Sequence, residues 1–443
     1  MLFKDATEFL KSTSKLSYTD FFNVRSRLEQ TDWERNAIVD LKDQMFKIEN
    51  KFPETKNVLY IHIPFCATRC EYCPYYTTPY NHSLVNEYIS CLKKEMDRYK
   101  NTAYIKLTQF NSVYFGGGTP SILKEDQIKN ISEYIFSNFN FAPDAELSFE
   151  SNPSTLTLSK IKTLKSLGFN RVSLGIQTFN ERLLKAMNCA HSKEKAMSVI
   201  QQLLENDFIV NTDLIFGLIG QDMKEIEEDI QTLLQFKKPF QITYFPLRIA
   251  ERTPLAEQLG NEQGINAKVH LKNLLEIDTI INEHLTSAGF IREECPMFYH
   301  ATGAIEHKYS STETRVIGFG SSAGTLLDDG ECCNCHDINE YIKNINNNSH
   351  TAISGIMLTP KQSLERFILY RILYMNRSLP DFKEIIEKRF MDYYKTPING
   401  LYEKVIDDML RLKFIKLNGN TIELTERLWH ILNKVKIGMP SII

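Results

Sequence analysis

Leu59-Tyr60-Ile61-His62-Ile63-Pro64-Phe65-Cys66-Ala67-Thr68-Arg69-Cys70-Glu71-Tyr72-Cys73 is the stretch on which the reading of this chain turns. It begins as a strand, because Val58–Ile63 is rich in β-branched and aromatic residues and Pro64 ends the run. Three cysteines spaced C-x3-C-x2-C follow at once, where folds of alternating strands and helices place their active-site loops. Three thiolates this close can hold three irons of a cubane cluster and leave the fourth iron open to a small-molecule ligand. The same triad also admits a zinc site completed by His62 or a distant cysteine, although zinc sites more often use C-x2-C pairs. Three unconnected buried cysteines are the remaining alternative.

Outward from this segment, short apolar runs alternate with helix-period stretches. Strands are expected at Val58–Ile63, Ser112–Phe115, Glu146–Glu150, Arg171–Ile176, Ile209–Phe216 and Gln241–Leu247. Helical patterns lie between them at about 83–99, 124–138, 157–167, 192–206 and 222–236. Strand–helix–strand alternation is the mark of a parallel sheet. Six such units fall short of a complete eight-fold barrel, so the expected α/β fold is a partial (β/α)6 TIM-like barrel, with a doubly wound open sheet as second choice. The expected domains are an N-terminal helical segment (1–55), the barrel (56–295), an irregular connector or substrate region (296–358) and a C-terminal helical, winged-helix-like domain (359–443). Within the last, helices are expected at Lys361–Met375, Asp381–Phe390, Gly400–Leu412 and Thr425–Lys434, and Asn418-Gly419-Asn420 marks a hairpin. That domain lacks a basic recognition helix, so a packing or lid role is expected of it.

Composition narrows the function classes. At roughly 150 residues per domain, 443 residues suffice for two to three domains, so a sizeable core is no difficulty. Apolar residues at 42% and charged residues at 24% exclude a largely disordered chain. A net charge of −3 gives no reason to expect nucleic acid or an anionic membrane as partner. The charged amino terminus and the lack of a long apolar run imply no membrane span and a cytoplasmic protein. Nine cysteines, an odd number, cannot all pair internally, which points towards thiol chemistry.

The triad after a first strand resembles the motif of the radical S-adenosylmethionine (SAM) superfamily. The longer string YIHIPFC…CEYC resembles the oxygen-independent coproporphyrinogen III oxidases and their relatives. Further strings agree in order: Val113–Ser121 (VYFGGGTPS), Glu146–Pro153 (ELSFESNP), Arg171–Phe179 (RVSLGIQTF), Asp213–Gly220 (DLIFGLIG), Val316–Ala323 (VIGFGSSA) and Leu424-Thr425. The resemblance implies a [4Fe–4S] cluster on Cys66, Cys70 and Cys73, and one or two molecules of SAM. It implies SAM contacts from Tyr72, Gly116, Gly117, Gly118, Thr119, Glu150, Gln177, Asp213 and Ile215, with Tyr60 pointing into the active site as a catalytic residue. Reductive cleavage of SAM to a 5′-deoxyadenosyl radical is the implied reaction. The implied partners are a small-molecule substrate, a tetrapyrrole or similar, and an electron donor such as flavodoxin or ferredoxin. A two-SAM radical C-methyltransferase and a haem-binding chaperone are the alternatives on the same frame.

The chain also departs from this pattern. Pro74-Tyr75 follow the triad where the authentic oxidase has a further cysteine, and the segment before the barrel has no arginine-and-proline-rich string. Cys189 stands where the family usually has an arginine suited to gripping a carboxylate, which would leave Arg182 or Lys185 to substitute. Cys91 and Cys295 read as buried hydrophobes, and Cys332-Cys333-Asn334-Cys335-His336 as a surface loop of free thiols. His300 and His307 lie where substrate would be expected, yet isolated histidines are usually structural.

Overall fold

The computed structural model describes Lys42, Asp43 and Phe46, most of residues 56–358, and parts of 378–425. Six parallel strands form its centre: β1 (Lys56–Ile63), β2 (Phe110–Gly117), β3 (Phe141–Ser151), β4 (Arg171–Gln177), β5 (Ile209–Phe216) and β6 (Gln241–Pro246). They are hydrogen-bonded in chain order, each to the next. Between them run α1 (His82–Tyr99), α2 (Glu125–Asn138), α3 (Leu158–Ser166), α4 (Glu181–Ala186), α5 (Lys193–Glu205) and α6 (Met223–Leu233). This is the partial (β/α)6 barrel expected from the alternation, and α4 is a short helix the periodicity did not mark.

Local chemistry starts each helix where the sequence punctuates it. The side chains of Asn81, Thr157, Asn180, Ser192 and Asp222 each accept a backbone N–H three residues on. Asp222 and Glu225 cap reciprocally at 2.9 and 3.0 Å. One face of α1 then buries Val85, Tyr88, Ile89, Leu92 and Met96 against the sheet. The helix-facing files of β1, β2, β4 and β5 are largely apolar: Leu59 and Ile61, Val113 and Phe115, Val172 and Leu174, Val210 and Leu214 are all buried in one core.

The described residues of 296–358 are not irregular. After the long helix α7 (Gln263–Ser287) come β7 (Phe290–Glu294), β8 (Met297–His300), β9 (Thr314–Phe319), β10 (Gly324–Leu327), β11 (Gly330–Asn334), α8 (Ile338–Asn346) and β12 (Ala352–Met357). All six strands join the barrel sheet, giving the order β12-β11-β10-β9-β1-β2-β3-β4-β5-β6-β8-β7. β9 runs parallel to β1, with Lys56 opposite Thr314 and Ile61 opposite Phe319. Glycines 318, 320, 324 and 330 interrupt the apolar runs here and give the sequence a loop-like texture. Long-range pairing overrides that texture.

One buried carboxylate ties this extension to the barrel. Glu95 of α1 is fully buried and accepts from Lys42 Nζ (2.9 Å), Gly320 N (2.8 Å), Asn334 Nδ2 (2.8 Å), Tyr341 Oη (2.7 Å) and Thr351 Oγ1 (3.2 Å). A buried charge with this many donors is satisfied rather than stranded. Lys42 also donates to the Gly318 carbonyl at 2.6 Å, so a residue from before the barrel is fixed against β9.

In the C-terminal part, Ile415–Asn418 pairs with Thr421–Leu424, and Ser378–Leu379 adds a third strand. The hairpin forms as expected, with Asn418 opposite Thr421. Gly419 takes φ +58°. Residues 1–41 and 361–375, His307, Cys295 and most of the other expected C-terminal helices lie outside the described residues.

Candidate metal and cofactor site

The six strands present a second file, two residues apart, towards the barrel interior. It reads Tyr60 and His62 on β1; Tyr114 on β2; Glu146, Ser148 and Glu150 on β3; Arg171 and Ser173 on β4; Asn211 and Asp213 on β5; Gln241 and Thr243 on β6. These side chains bond to one another across the strands. Tyr114 donates to Glu150 (2.7 Å), and Ser148 to Glu146 (2.8 Å). Arg171 reaches Gln241 at 3.0 Å and Ser148 at 3.4 Å, with its Nε 3.9 Å from Glu146. Ser173 donates to Asp213 (2.7 Å), Asn211 to Ser173 and to Asp213 (2.8 and 2.7 Å), and Thr243 to Asn211 (2.9 Å). A packed barrel interior is ordinarily filled by branched apolar residues. This one is polar and hydrogen-bonded.

Its charge does not balance. Among the described residues of this file, Glu146, Glu150 and Asp213 face Arg171, three carboxylates to one guanidinium. Desolvation, and then the neighbouring Asp213, push the Glu150 carboxyl up to about 7. Desolvation also raises Asp213, against the hydrogen bonds it accepts from Ser173 and Asn211. A cationic ligand beside Glu150 would relieve this excess. A raised carboxyl lets the folded state bind more protons than the unfolded chain between its unfolded value, about 4.3, and 7, so the group costs stability as pH rises through that window. Glu150→Gln is therefore expected to raise the melting temperature relative to the wild type at pH 8 and to change it little at pH 4. Thermal denaturation at the two pH values checks this, and a lower melting temperature at pH 8 would contradict it.

The cysteine loop hangs from the carboxyl end of β1. Phe65–Cys66 pairs with Thr78–Pro79, and the Thr78 N–H bonds the Pro64 carbonyl at 2.7 Å, closing the loop at its base. Cys66 Sγ lies 3.4 Å from Thr119 Oγ1. Cys70 is in hydrogen-bond contact with Cys189 and with Tyr72, which lowers its thiol to about 7. Burial pushes Cys73 up to about 11 and raises Cys66 as well. All three thiols are partly exposed and free. Among the described residues no three His, Cys, Asp or Glu side chains already converge as a metal group, so a cluster would have to turn these thiols inward. Tyr76, just past the triad, stacks on His336 with ring centroids 4.1 Å apart.

The glycine run buttresses this loop. A Cβ on Gly116 would lie 2.9 Å from Glu150 Oε2 and 3.1 Å from the Tyr60 ring. Gly117 has φ +113°, its N–H donates to Glu150 at 3.1 Å, and a side chain there would enter the His62 ring. Gly118 packs on the backbone of Phe65. His62 is held neutral by burial, its value falling to about 3, and its Nδ1 lies 3.0 Å from Tyr60 Oη. His62 Nε2 is buried without a hydrogen-bond partner among the described residues, a costly state unless a ligand meets it.

The remaining expected residues lie on β4 and β5. Gln177 ends β4 at φ +67°, where a bulge shifts the register between Gly175 and Gln177. Asp213 sits within β5 rather than at its end, because the strand continues through Ile215 to Phe216. Ile215 is buried with Leu183, Met187, Leu218, Leu247 and Leu255, and Tyr72 and Cys189 pack against that cluster. Arg182, named as a substitute for the missing arginine, bonds both oxygens of Glu225 (2.7 and 2.9 Å) and the Gly220 carbonyl (2.8 Å). Cys332-Cys333-Asn334-Cys335 is no surface loop either. Its first three residues belong to β11, Cys332 and Cys335 are buried, and burial pushes both thiols up, to about 11 and about 12. Cys91 is buried in α1, as expected. His300 ends β8.

The residues present fit a cluster and SAM. Three thiols share one loop, a glycine cradle adjoins it, the interior carries more carboxylates than the one guanidinium of Arg171 offsets, and an apolar cluster includes Ile215 with Tyr72 packed against it. Residues 60–233 match the family model described as the Radical SAM superfamily. A protein named heme chaperone HemW from Buchnera aphidicola subsp. Schizaphis graminum is 29% identical over 358 residues, covering 78% of this chain and 88% of its own length. An oxygen-independent coproporphyrinogen III oxidase from Salmonella typhimurium is 25% identical over 351 residues, covering 75% of each chain. In fold, the chain matches the solved coproporphyrinogen III oxidase HemN from Escherichia coli with a TM-score of 0.72, at 20% identity, over 89% of this chain and 92% of that one. The superfamily implies a [4Fe–4S] cluster and SAM. No helix of the described residues is long and apolar enough to cross a membrane.

Proposed function

We propose that the radical SAM domain carried by this chain acts on a tetrapyrrole or a similar small molecule, with SAM as co-substrate. The observation that carries this reading is the polar barrel interior, short of positive charge, with Glu150 close enough to the cysteine loop to act on Cys66. When bound, the cluster and SAM supply a 5′-deoxyadenosyl radical by reductive cleavage. Cys66, Cys70 and Cys73 would hold three irons of the cluster, leaving one iron open to a small-molecule ligand. Glu150, fixed by Tyr114 and the Gly117 N–H, offers its carboxylate to the cationic end of SAM. Tyr72 and Ile215 line the apolar side suited to the nucleoside base, while Thr119, Gln177 and Asp213 present polar groups to the ribose and methionine tail. Tyr60, beside His62, faces the reacting end. An electron donor such as flavodoxin or ferredoxin supplies the reducing electron.

A second reading, haem carriage, is favoured by two observations. The relatives include chains named heme chaperone HemW over most of their length, and Pro74-Tyr75 stand where the resemblance to the oxidase calls for another cysteine. Anaerobic incubation of the reconstituted, reduced protein with SAM and coproporphyrinogen, haem or an unsaturated acceptor separates the readings. Substrate-dependent 5′-deoxyadenosine without methyl transfer is the expected result. S-adenosylhomocysteine formed alongside it would identify a methyltransferase, and tight haem binding without any 5′-deoxyadenosine would overturn the catalytic reading in favour of carriage.

A further inference from the structure

The cap of α4 places a fourth thiol against the cysteine loop. The helix ends in a reciprocal pair of backbone bonds, Cys189 N to Leu184 O at 2.9 Å and Asn188 N to Lys185 O at 3.2 Å, with Asn188 at φ +55°. This is the Schellman arrangement, with asparagine in the left-handed position that glycine usually fills. It fixes the backbone of Cys189. The same cap then grips the loop: Glu71 N bonds Met187 O at 3.2 Å, and Asn188 Nδ2 donates to Arg69 O at 2.9 Å. On its other side, Leu255 N bonds Glu71 O at 2.9 Å. Cys70 and Cys189 therefore meet as two anchored thiols in hydrogen-bond contact, with the Tyr72 hydroxyl on both. Cys73, three residues from Cys70, bonds its carbonyl through the backbone N–H at 3.2 Å and lies close enough to it to interact electrostatically.

We infer that Cys189 is a resolving thiol, which captures Cys70 as a reversible disulfide when the loop holds no iron and a low-molecular-weight disulfide is present. The step balances as a two-electron exchange: two S–H bonds are lost and the Cys70–Cys189 S–S bond forms. The oxidant's S–S bond breaks, and its two halves leave as thiols carrying both protons. A disulfide here takes one cluster ligand out of use without advancing it to the irreversible sulfinic state, and reduction returns it. The bond would join the β1 loop to the end of α4, segments already tied together by the hydrogen bonds above. Cysteine at position 189 then has a chemical use that arginine could not serve.

The inference rests on Cys70 being a cluster ligand, and the test keeps the two apart. Iron-free full-length protein is incubated with glutathione disulfide, alkylated and mapped by peptide mass spectrometry. The expected result is a loss of two free thiols per chain, with Cys70–Cys189 as the predominant link and full iron loading recovered after dithiothreitol. In Cys189→Ser and Cys189→Ala, Cys70 should appear instead as a glutathione adduct or linked to Cys73. A wild-type map dominated by Cys70–Cys73, Cys66–Cys70 or glutathionylated Cys70 would overturn the proposal. Iron loading of untreated protein under anaerobic conditions reports separately on the ligand reading, since failure to load leaves the disulfide map readable.

Discussion

Replacing Arg171 with methionine is expected to lower the unfolding free energy by about 3–5 kcal/mol at neutral pH. The guanidinium is only 1% exposed, and it faces Glu146 while bonding Ser148 and Gln241. Methionine fills much of the same volume, so the loss is of charge and hydrogen bonds more than of packing. What remains is a cluster of buried carboxylates with no opposing charge, and leaving one partner of a buried pair uncompensated costs more than the pair itself contributed. Acid should rescue the variant in part, because protonation removes the surplus negative charge. Urea denaturation at pH 7.5 and pH 5.5 reads both effects: the gap between wild type and variant should narrow at the lower pH. A midpoint unchanged at pH 7.5 would mean that the interior is far wetter than its burial indicates.

The strand–helix alternation of residues 58–247 was legible because parallel strands and covering helices have distinct periods, and five of the six helix starts, α2 excepted, carry a side-chain cap. The triad was legible because its thiols are close in sequence. The polar file of the barrel was missed, though its signal was present. Glu146-Leu147-Ser148-Phe149-Glu150 and Arg171-Val172-Ser173-Leu174 alternate strictly, whereas a strand buried on both faces by apolar packing reads as a continuous apolar run. Two-residue alternation inside a parallel barrel is thus the mark of an interior built for a polar ligand.

Other features depend on contacts that sequence spacing does not encode. β9 pairs with β1 across more than 250 residues, as Lys56 opposite Thr314 shows. Nothing local in Thr314–Phe319 announces that partner, and the glycines beside it argue for a loop. The meeting of Cys70 with Cys189 is non-local in the same way, as is the hold of Glu225 on Arg182. Lys42 is the sharpest case: a lysine in a polar segment reads as solvated, yet it is 2% exposed and paired with Glu95.

The second large effect concerns the triad. Cys66→Ala, Cys70→Ala and Cys73→Ala are each expected to abolish stable cluster loading, since three thiolates are the fewest that hold a cubane with one open iron. The direct test is electron paramagnetic resonance of the anaerobically reconstituted, dithionite-reduced protein with and without SAM, alongside iron and sulfide analysis. Wild type should carry about four irons and four sulfides per chain, and SAM should shift its spectrum, while each alanine variant shows neither. A wild-type signal indifferent to SAM, or variants that keep full iron and the SAM-induced shift, would contradict the assignment of an open-iron cluster to this loop.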